Sequence, residues 1–307
     1  MRISYRHLAI IALIISNIIW GAASPIFKWS LESIQPFTLA FLRFFIASLI
    51  LWIFALPNMT LKIKDIPKII LLAAFGIFGN ISLFFFGLRL TSSINAPVIA
   101  ASAPVFLILI AYFYFHDKPT KKVVLGTMVS LIGTIIIIIN PLLGQNQDGS
   151  IFGNLLLLLA TMCFVVYTTL LKKFDLQYQP LTLIFWIFFV SSIMFFPFFA
   201  NEVRNTNFLQ SLNTQAIIGI LYGALSSSTL AYLCYDIGVK YLKASEIGIF
   251  SYIDPIITIL IAIPLLGETI TNLYVIGTLT VFAGIIIAER RLHTHSIHPN
   301  HLSKKDD

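Results

Sequence analysis

An aspartate and an arginine lie where this chain otherwise carries almost no charge. Asp254 sits within an apolar run at about 245–266, directly before Pro255, and Arg43 sits within another at about 37–56. Charge at bilayer depth is costly, so each is a candidate for function. Asp254 could hold a substrate amine or a coupling proton. Pro255 lacks an N–H and frees a carbonyl one turn earlier, which leaves backbone polarity for a bound group. Arg43 could take a substrate carboxylate through a bidentate contact. The structural alternatives are an ion pair between the two, or Arg43 acting as a clamp or snorkelling.

Polar and aromatic residues in the apolar runs supply further candidates. Asn17, Trp20 and Ser24 recur at three- and four-residue intervals and so share one helix face. Asn80, Tyr167, Ser228, Tyr232, Tyr235 and Tyr252 come from other runs. Each could equally glue helices together, but as a set they suit an amphipathic solute, with aromatic walls and a few hydrogen-bonding groups. Asp236 and Lys240, four apart, read as an intrahelical pair, and Glu246 as an acid opening a helix.

These residues must be positioned by membrane-spanning helices. Of the 307 residues, 58% are hydrophobic and 11% charged, too few charges to coat a soluble surface of this size. Continuous apolar runs long enough to span, each needing roughly 20 residues, occur at about 8–28, 37–56, 66–88, 94–115, 122–140, 151–171, 180–200, 215–239, 245–266 and 273–289. Continuity rather than alternation excludes strands. The predicted class is all-α integral membrane, with ten helices.

The chain also contains its first half twice. QPFTLAFLRFF at 35–45 and QPLTLIFWIFF at 179–189 share seven of eleven residues at an offset of 144. Further along the offset becomes 151, pairing Gly87 with Gly238, Pro104 with Pro255, Asp117 with Glu268, Gly126 with Gly277 and Gly133 with Gly284. The expected division is 1–145, 146–289 and a disordered cytoplasmic tail at 290–307. Five helices per copy is an odd number, so the second copy enters the bilayer from the other side. Two inverted bundles can alternate which side of a central site is open. Asp254 and Arg43 break the repeat, since their counterparts are Ala103 and Ile187.

With the N-terminus in the cytoplasm, 16 of the 20 lysines and arginines fall on the cytoplasmic side, as the positive-inside rule requires. Both termini are then cytoplasmic, and the net charge of +7 reflects topology rather than a nucleic-acid partner. No nucleotide-binding, zinc-hydrolase or serine-hydrolase signature is present. The four histidines at 293–301 lack the spacing of a closed metal site, and no cofactor is expected.

Trp20-Gly21, the FLRFF of 41–45, Ala103-Pro104, Asp254-Pro255, and Gly267-Glu268 followed by Gly277 and Gly284 together resemble the EamA-type members of the drug/metabolite transporter superfamily. The resemblance covers 8–289. It implies two inverted five-helix repeats around a central cavity, in the plasma membrane (the inner membrane of a bacterium), and a secondary carrier of small metabolites, most often an exporter of amino acids or related compounds. Import of a nucleoside-like or S-adenosylmethionine-like compound and a lipid-carrier flippase or scaffold are the alternatives. Protons are a candidate coupling ion, and a monomer suffices because the duplication supplies both halves. On this reading Asn17, Trp20, Ser24, Arg43, Asn80, Tyr167, Ser228, Tyr232, Tyr252 and Asp254 line the substrate site. Asp117, Glu268, Pro104 and Pro255 serve structure or gating.

Overall fold

A computed structural model describes residues 5–55, 59–103, 106, 120–143, 149–174, 176–242, 250 and 252–289. Among them the regular structure is entirely helical. We label the helices α1 (Tyr5–Ser30), α2 (Pro36–Ala55), α3 (Ile63–Leu90), α4 (Asn95–Ala100), α5 (Lys121–Leu143), α6 (Ile151–Phe174), α7 (Pro180–Asn205), α8 (residues 214–241), α9 (Ile253–Leu266) and α10 (Asn272–Glu289). Seven of the described helices are long and apolar enough to cross a membrane: α1, α2, α3, α5, α6, α7 and α8. The apolar parts of α9 and α10 are shorter, and the expected fourth span is described as a continuous helix over Asn95–Ala100. Pro104, Asp117, Glu246 and the tail at 290–307 lie outside the described residues, as do the side chains of Asp236 and Lys240.

The two copies interlock rather than sit side by side. From the first copy, α1 packs on α8 and α9 of the second, while α6 packs on α3 and α4 of the first. Matched residues make matched contacts. Leu13 fills the space beside Gly238, where a Cβ would lie 2.3 Å from its side chain, and Leu157, its counterpart at offset 144, fills the space beside Gly87. Each α1-type helix thus packs mainly against helices of the other copy.

Equivalent helices of the two copies also pair with each other. α5 and α10 cross where Gly126 meets Gly284 and Gly133 meets Gly277; Cβ atoms at Gly126 and Gly284 would lie 2.4 and 2.6 Å from the opposing carbonyl oxygens. Small residues thus let the backbones touch, which is how helices associate where lipid supplies no hydrophobic drive. The other face of α5 exposes Leu125, Met128, Ile132 and Ile135 at three- and four-residue spacing, an apolar stripe suited to lipid. α2 and α7 pair differently, through interleaved rings: Phe41 with Phe199 at 4.4 Å, Phe37 with Phe198 at 4.7 Å and Phe44 with Phe188 at 5.0 Å between centroids.

Two helices depart from α geometry at equivalent positions. α3 is π-helical at Ala74–Gly79, and α8 at Tyr222–Leu230, whose last six residues are the offset-151 counterparts of the first. A π turn inserts a residue into the helix and shifts the side chains beyond it around the axis; such turns often mark functional sites.

The described helix of α9 begins at Ile253, which puts Asp254 in its first turn. The physical reason is Pro255: proline's fixed φ and missing N–H suit the opening turn of a helix, where N–H groups lack partners in any case. An acid is also favoured there, at the positive end of the helix dipole.

Candidate functional site

Arg43 is buried, 5% exposed. α2 carries it towards the π turn of α8. Its Nε donates to Ser228 Oγ at 2.8 Å and one terminal nitrogen donates to Ser227 Oγ at 3.0 Å. The guanidinium lies 4.7 Å from the centroid of Phe27 and 4.6 Å from that of Phe44, an arrangement in which two ring faces attract the cation. Gly223 makes room for the stem: a Cβ there would come within 2.9 Å of the Arg43 methylenes. Arg43 is therefore held by hydroxyls and aromatic faces.

The arginine does not pair with Asp254. Asp254 Oδ1 is buried and has no hydrogen-bond partner among the described residues. The residue is fixed through its backbone. A Cβ on Gly21 would lie 2.7 Å from the Asp254 carbonyl oxygen, so α1 and α9 touch there, and Thr258 Oγ1 bonds both the Gly21 and the Asp254 carbonyls at 2.5 and 2.9 Å. Pro255 is buried beside it.

Trp20 stands between the two charges in the chain of contacts. It adjoins Gly21, and its indole N–H donates to the Ser227 carbonyl at 3.1 Å. Its ring packs edge-on to Tyr232 at 5.4 Å and tilted against Tyr235 at 5.3 Å, and Tyr232 stands perpendicular to Phe188. The tertiary structure thus joins Trp20, Arg43, Ser227, Ser228 and Tyr232 into one constellation on α1, α2 and α8, with Asp254 adjoining through Gly21.

Other expected site residues go elsewhere. Asn17 is buried and its amide donates to the Leu13 carbonyl of its own helix at 2.8 Å. Its counterpart Thr161 does the same to Leu157, so this is an inherited helix feature. Ser24 Oγ is buried without a partner among the described residues. Asn80 donates to the Ala160 carbonyl at 2.7 Å, tying α3 to α6. The Tyr167 ring covers Gly76, whose Cβ would lie 2.4 Å from it, and Tyr252 packs edge-on to Phe282 of α10 at 5.1 Å.

Glu268 forms a second centre, at the end of the molecule away from Tyr5 and Tyr241. Gly267 turns the chain at φ 67°, a left-handed conformation glycine accepts readily. The following carboxylate reaches Lys28 Nζ at 2.8 Å, Ser92 Oγ at 2.6 Å, and the Ser93 N–H and hydroxyl and the Ile94 N–H at 2.6, 3.0 and 3.1 Å. Burial works to raise the Glu268 pKa, but the charge of Lys28 and these donors outweigh it and hold the group below its ordinary value. Lys28 also donates to the Thr91 carbonyl. Beside this cluster, fully buried Asn154 accepts from Thr91 and Asn95 and donates to the Ile137 and Ile138 carbonyls.

Several of these partners are not singled out by residue type. Ser227 sits in the polar run 226–229 of an otherwise apolar helix, and Asn154 is the one carboxamide in the run 151–171; those were the available signals. Phe27, Phe44 and Gly223 gave none, because their role lies in what faces them.

The EamA-like transporter family model matches this chain twice, at residues 7–139 and 151–289. The chain belongs to the EamA-like transporter family. An EamA transporter is a membrane carrier and not an enzyme, and the relatives carry matching names. An "uncharacterized transporter" of Archaeoglobus fulgidus is 27% identical over 282 residues, covering 92% of this chain and 98% of that protein. "Uncharacterized transporter YyaM" of Bacillus subtilis is 28% identical over 292 residues, covering 92% and 94%. A solved crystal structure superposes with a TM-score of 0.65 over 95% of this chain and all of its own, at 17% identity, which speaks to the EamA fold alone.

Proposed function

We propose that this EamA transporter is a secondary carrier that moves small amphipathic metabolites across the plasma membrane by alternating access, exporting amino acids or related compounds. The observation that carries the reading is Asp254: a buried carboxylate oxygen with no hydrogen-bond partner among the described residues, on a residue whose backbone packs against Gly21, next in the chain to Trp20. An unsatisfied acid in an apolar surround is retained at a cost, and binding a substrate amine or a proton would offset it. Arg43 acts chiefly as a positioning residue. It holds the π turn of α8 in place, and through Ser227 it fixes the carbonyl that Trp20 grips. Ser228 shares that role, while Trp20 and Tyr232 form the aromatic wall.

Ten spans, with both termini cytoplasmic, complete the topology. Support comes from the lysines: those at 62, 64, 68, 121 and 122 lie with Tyr5 at one end, whereas Lys28 and Arg89 lie at the other. The Glu268 cluster then closes the outer side. A monomer suffices, because the first helix of each copy packs mainly against the other copy. Export, rather than import, is supported by the family resemblance.

The test compares metabolites inside and outside cells expressing the chain with those expressing Asp254→Asn at equal membrane levels. A compound depleted inside and enriched outside only with the intact protein is the expected result. Its enrichment inside would reverse the direction, and an Asp254→Asn protein that transports normally would remove the residue from the site.

A further inference from the structure

The loop joining α2 to α3 and the loop joining α6 to α7 meet at the same end of the molecule, and one acid fastens them. Tyr178 donates its hydroxyl to Asp65 Oδ2 at 2.9 Å and accepts the Lys62 N–H at 3.1 Å, while Lys68 Nζ donates to Asp65 Oδ1 at 2.8 Å. Asp65 is 6% exposed, and both its oxygens are engaged. Around this post opens a cleft of about 140 Å³, lined by Lys62, Lys64, Asp65, Lys68, Gln177 and Tyr178 together with Leu176. Three lysines therefore line the cleft with one carboxylate, and only Lys68 is paired with it. Lys62 and Lys64 are exposed and have no acidic partner among the described residues.

The surface beside the cleft is apolar. Ile63, between the two lysines, is 85% exposed, and Ile66 and Ile70 continue the same outer stripe along α3. A cationic recess at the head of an apolar stripe matches a molecule with an anionic head and a hydrocarbon tail. The first turn of α3 adds its positive dipole end to the lysines. Basic pockets between helices at the cytoplasmic face of a membrane are a known means of holding acidic lipid headgroups.

We propose that this cleft binds the phosphate-bearing headgroup of an anionic phospholipid, with an acyl chain lying along Ile63, Ile66 and Ile70. The phosphate is the recognised chemistry; the stripe commits it to a lipid rather than a soluble phosphate. One wall comes from the first copy and the other from the second, so a bound headgroup bridges the two halves and strengthens their contact.

Thermal unfolding of the full chain in neutral detergent tests this, with added phosphatidylglycerol, phosphatidylcholine or inorganic phosphate. Two variants are compared: K62Q/K64Q in the cleft, and K121Q/K122Q, which removes the same charge from exposed lysines opening α5. Phosphatidylglycerol is expected to raise the midpoint by several degrees and phosphatidylcholine not to. The shift should vanish in K62Q/K64Q and persist in K121Q/K122Q. Equal loss in both variants, or an undiminished shift in K62Q/K64Q, would overturn the site in favour of general surface charge. A full shift from inorganic phosphate alone would overturn the lipid assignment.

Discussion

The π turn of α8 packs against a buried arginine, and its counterpart in α3 packs against a tyrosine ring. The two turns occupy matched places in the duplicated chain and share a backbone, but their surroundings have diverged. Where the α2–α8 contact holds Arg43, Gly223, Ser227 and Ser228, the α7–α3 contact holds Ile187, Leu72, Gly76 and Ile77. Ile187, Leu72 and Ile77 are fully or nearly fully buried. One turn is polar and ordered by hydrogen bonds; the other is apolar and ordered by the fit of Tyr167 on Gly76. The irregular backbone thus belongs to the duplicated unit and does not depend on the charge. The charge was accommodated in one copy by three local changes: a glycine for the stem and two hydroxyls for the head.

The most severe way to break this comparison is to place the charge in the copy that lacks the cradle. Ile187→Arg puts a guanidinium against Leu72 and Ile77, without the serines. It should destabilise the protein by about 3–5 kcal/mol, as for an uncompensated buried charge, and sharply reduce monodisperse protein in the membrane. If Ile187→Arg accumulates and melts like the parent protein, the cradle is not what makes Arg43 tolerable.

Glu268 lies outside both turns and measures what a latch at the helix ends contributes. Losing charge-assisted hydrogen bonds in Glu268→Gln should cost about 1.5–3 kcal/mol at neutral pH. The acid limb of the stability profile gives a second readout. Because the folded-state pKa is held below the ordinary glutamate value, the stabilisation is complete above that value and is lost as pH falls through the folded pKa. Thermal unfolding between neutrality and pH 3 should therefore show a steeper acid loss in the parent than in Glu268→Gln. Parallel curves would mean that Glu268 is not ionised in the latch.

The apolar turn is probed by Gly76→Ala, which pushes a methyl group into the Tyr167 ring. Overpacking should cost about 1–3 kcal/mol. Tyr167→Ala should cost less in the Gly76→Ala background than in the parent, because the two residues are in contact and their effects do not add. Additive losses in denaturant melts would separate the ring from the turn, leaving the symmetry of the backbone as the sole likeness between the sites.

Much of the architecture was legible in the chain. Continuous apolar runs gave helices such as α5 and α7 within a few residues of their ends, because a spanning helix must satisfy its own backbone hydrogen bonds within itself. The glycines at 126, 133, 277 and 284 marked the repeat, and only the structure brings 126 against 284 and 133 against 277. Arg43 and Asp254 stood out because charge is rare in such a chain. Their mutual pairing, read as an alternative, fails: Arg43 is occupied by Ser227 and Ser228, and Asp254 lies across Gly21 in the first turn of α9. Neither π turn was visible, since both copies carry one and the repeat offset stays at 151 through it.

The sequence by itself determined that this is a membrane protein, that it is built from a duplicated unit, and which residues depart from the repeat. These follow from composition and periodicity, which act along the chain. Only the tertiary structure decided the partners. α1 could not be known to lie against α8 and α9 of the other copy, nor Glu268 to reach Lys28 across 240 residues. Hydrophobicity in lipid sets which segments enter the bilayer but supplies little preference among neighbours. Which helices then meet is settled by small steric fits, such as Leu13 against Gly238, and by the few polar groups that must find one another.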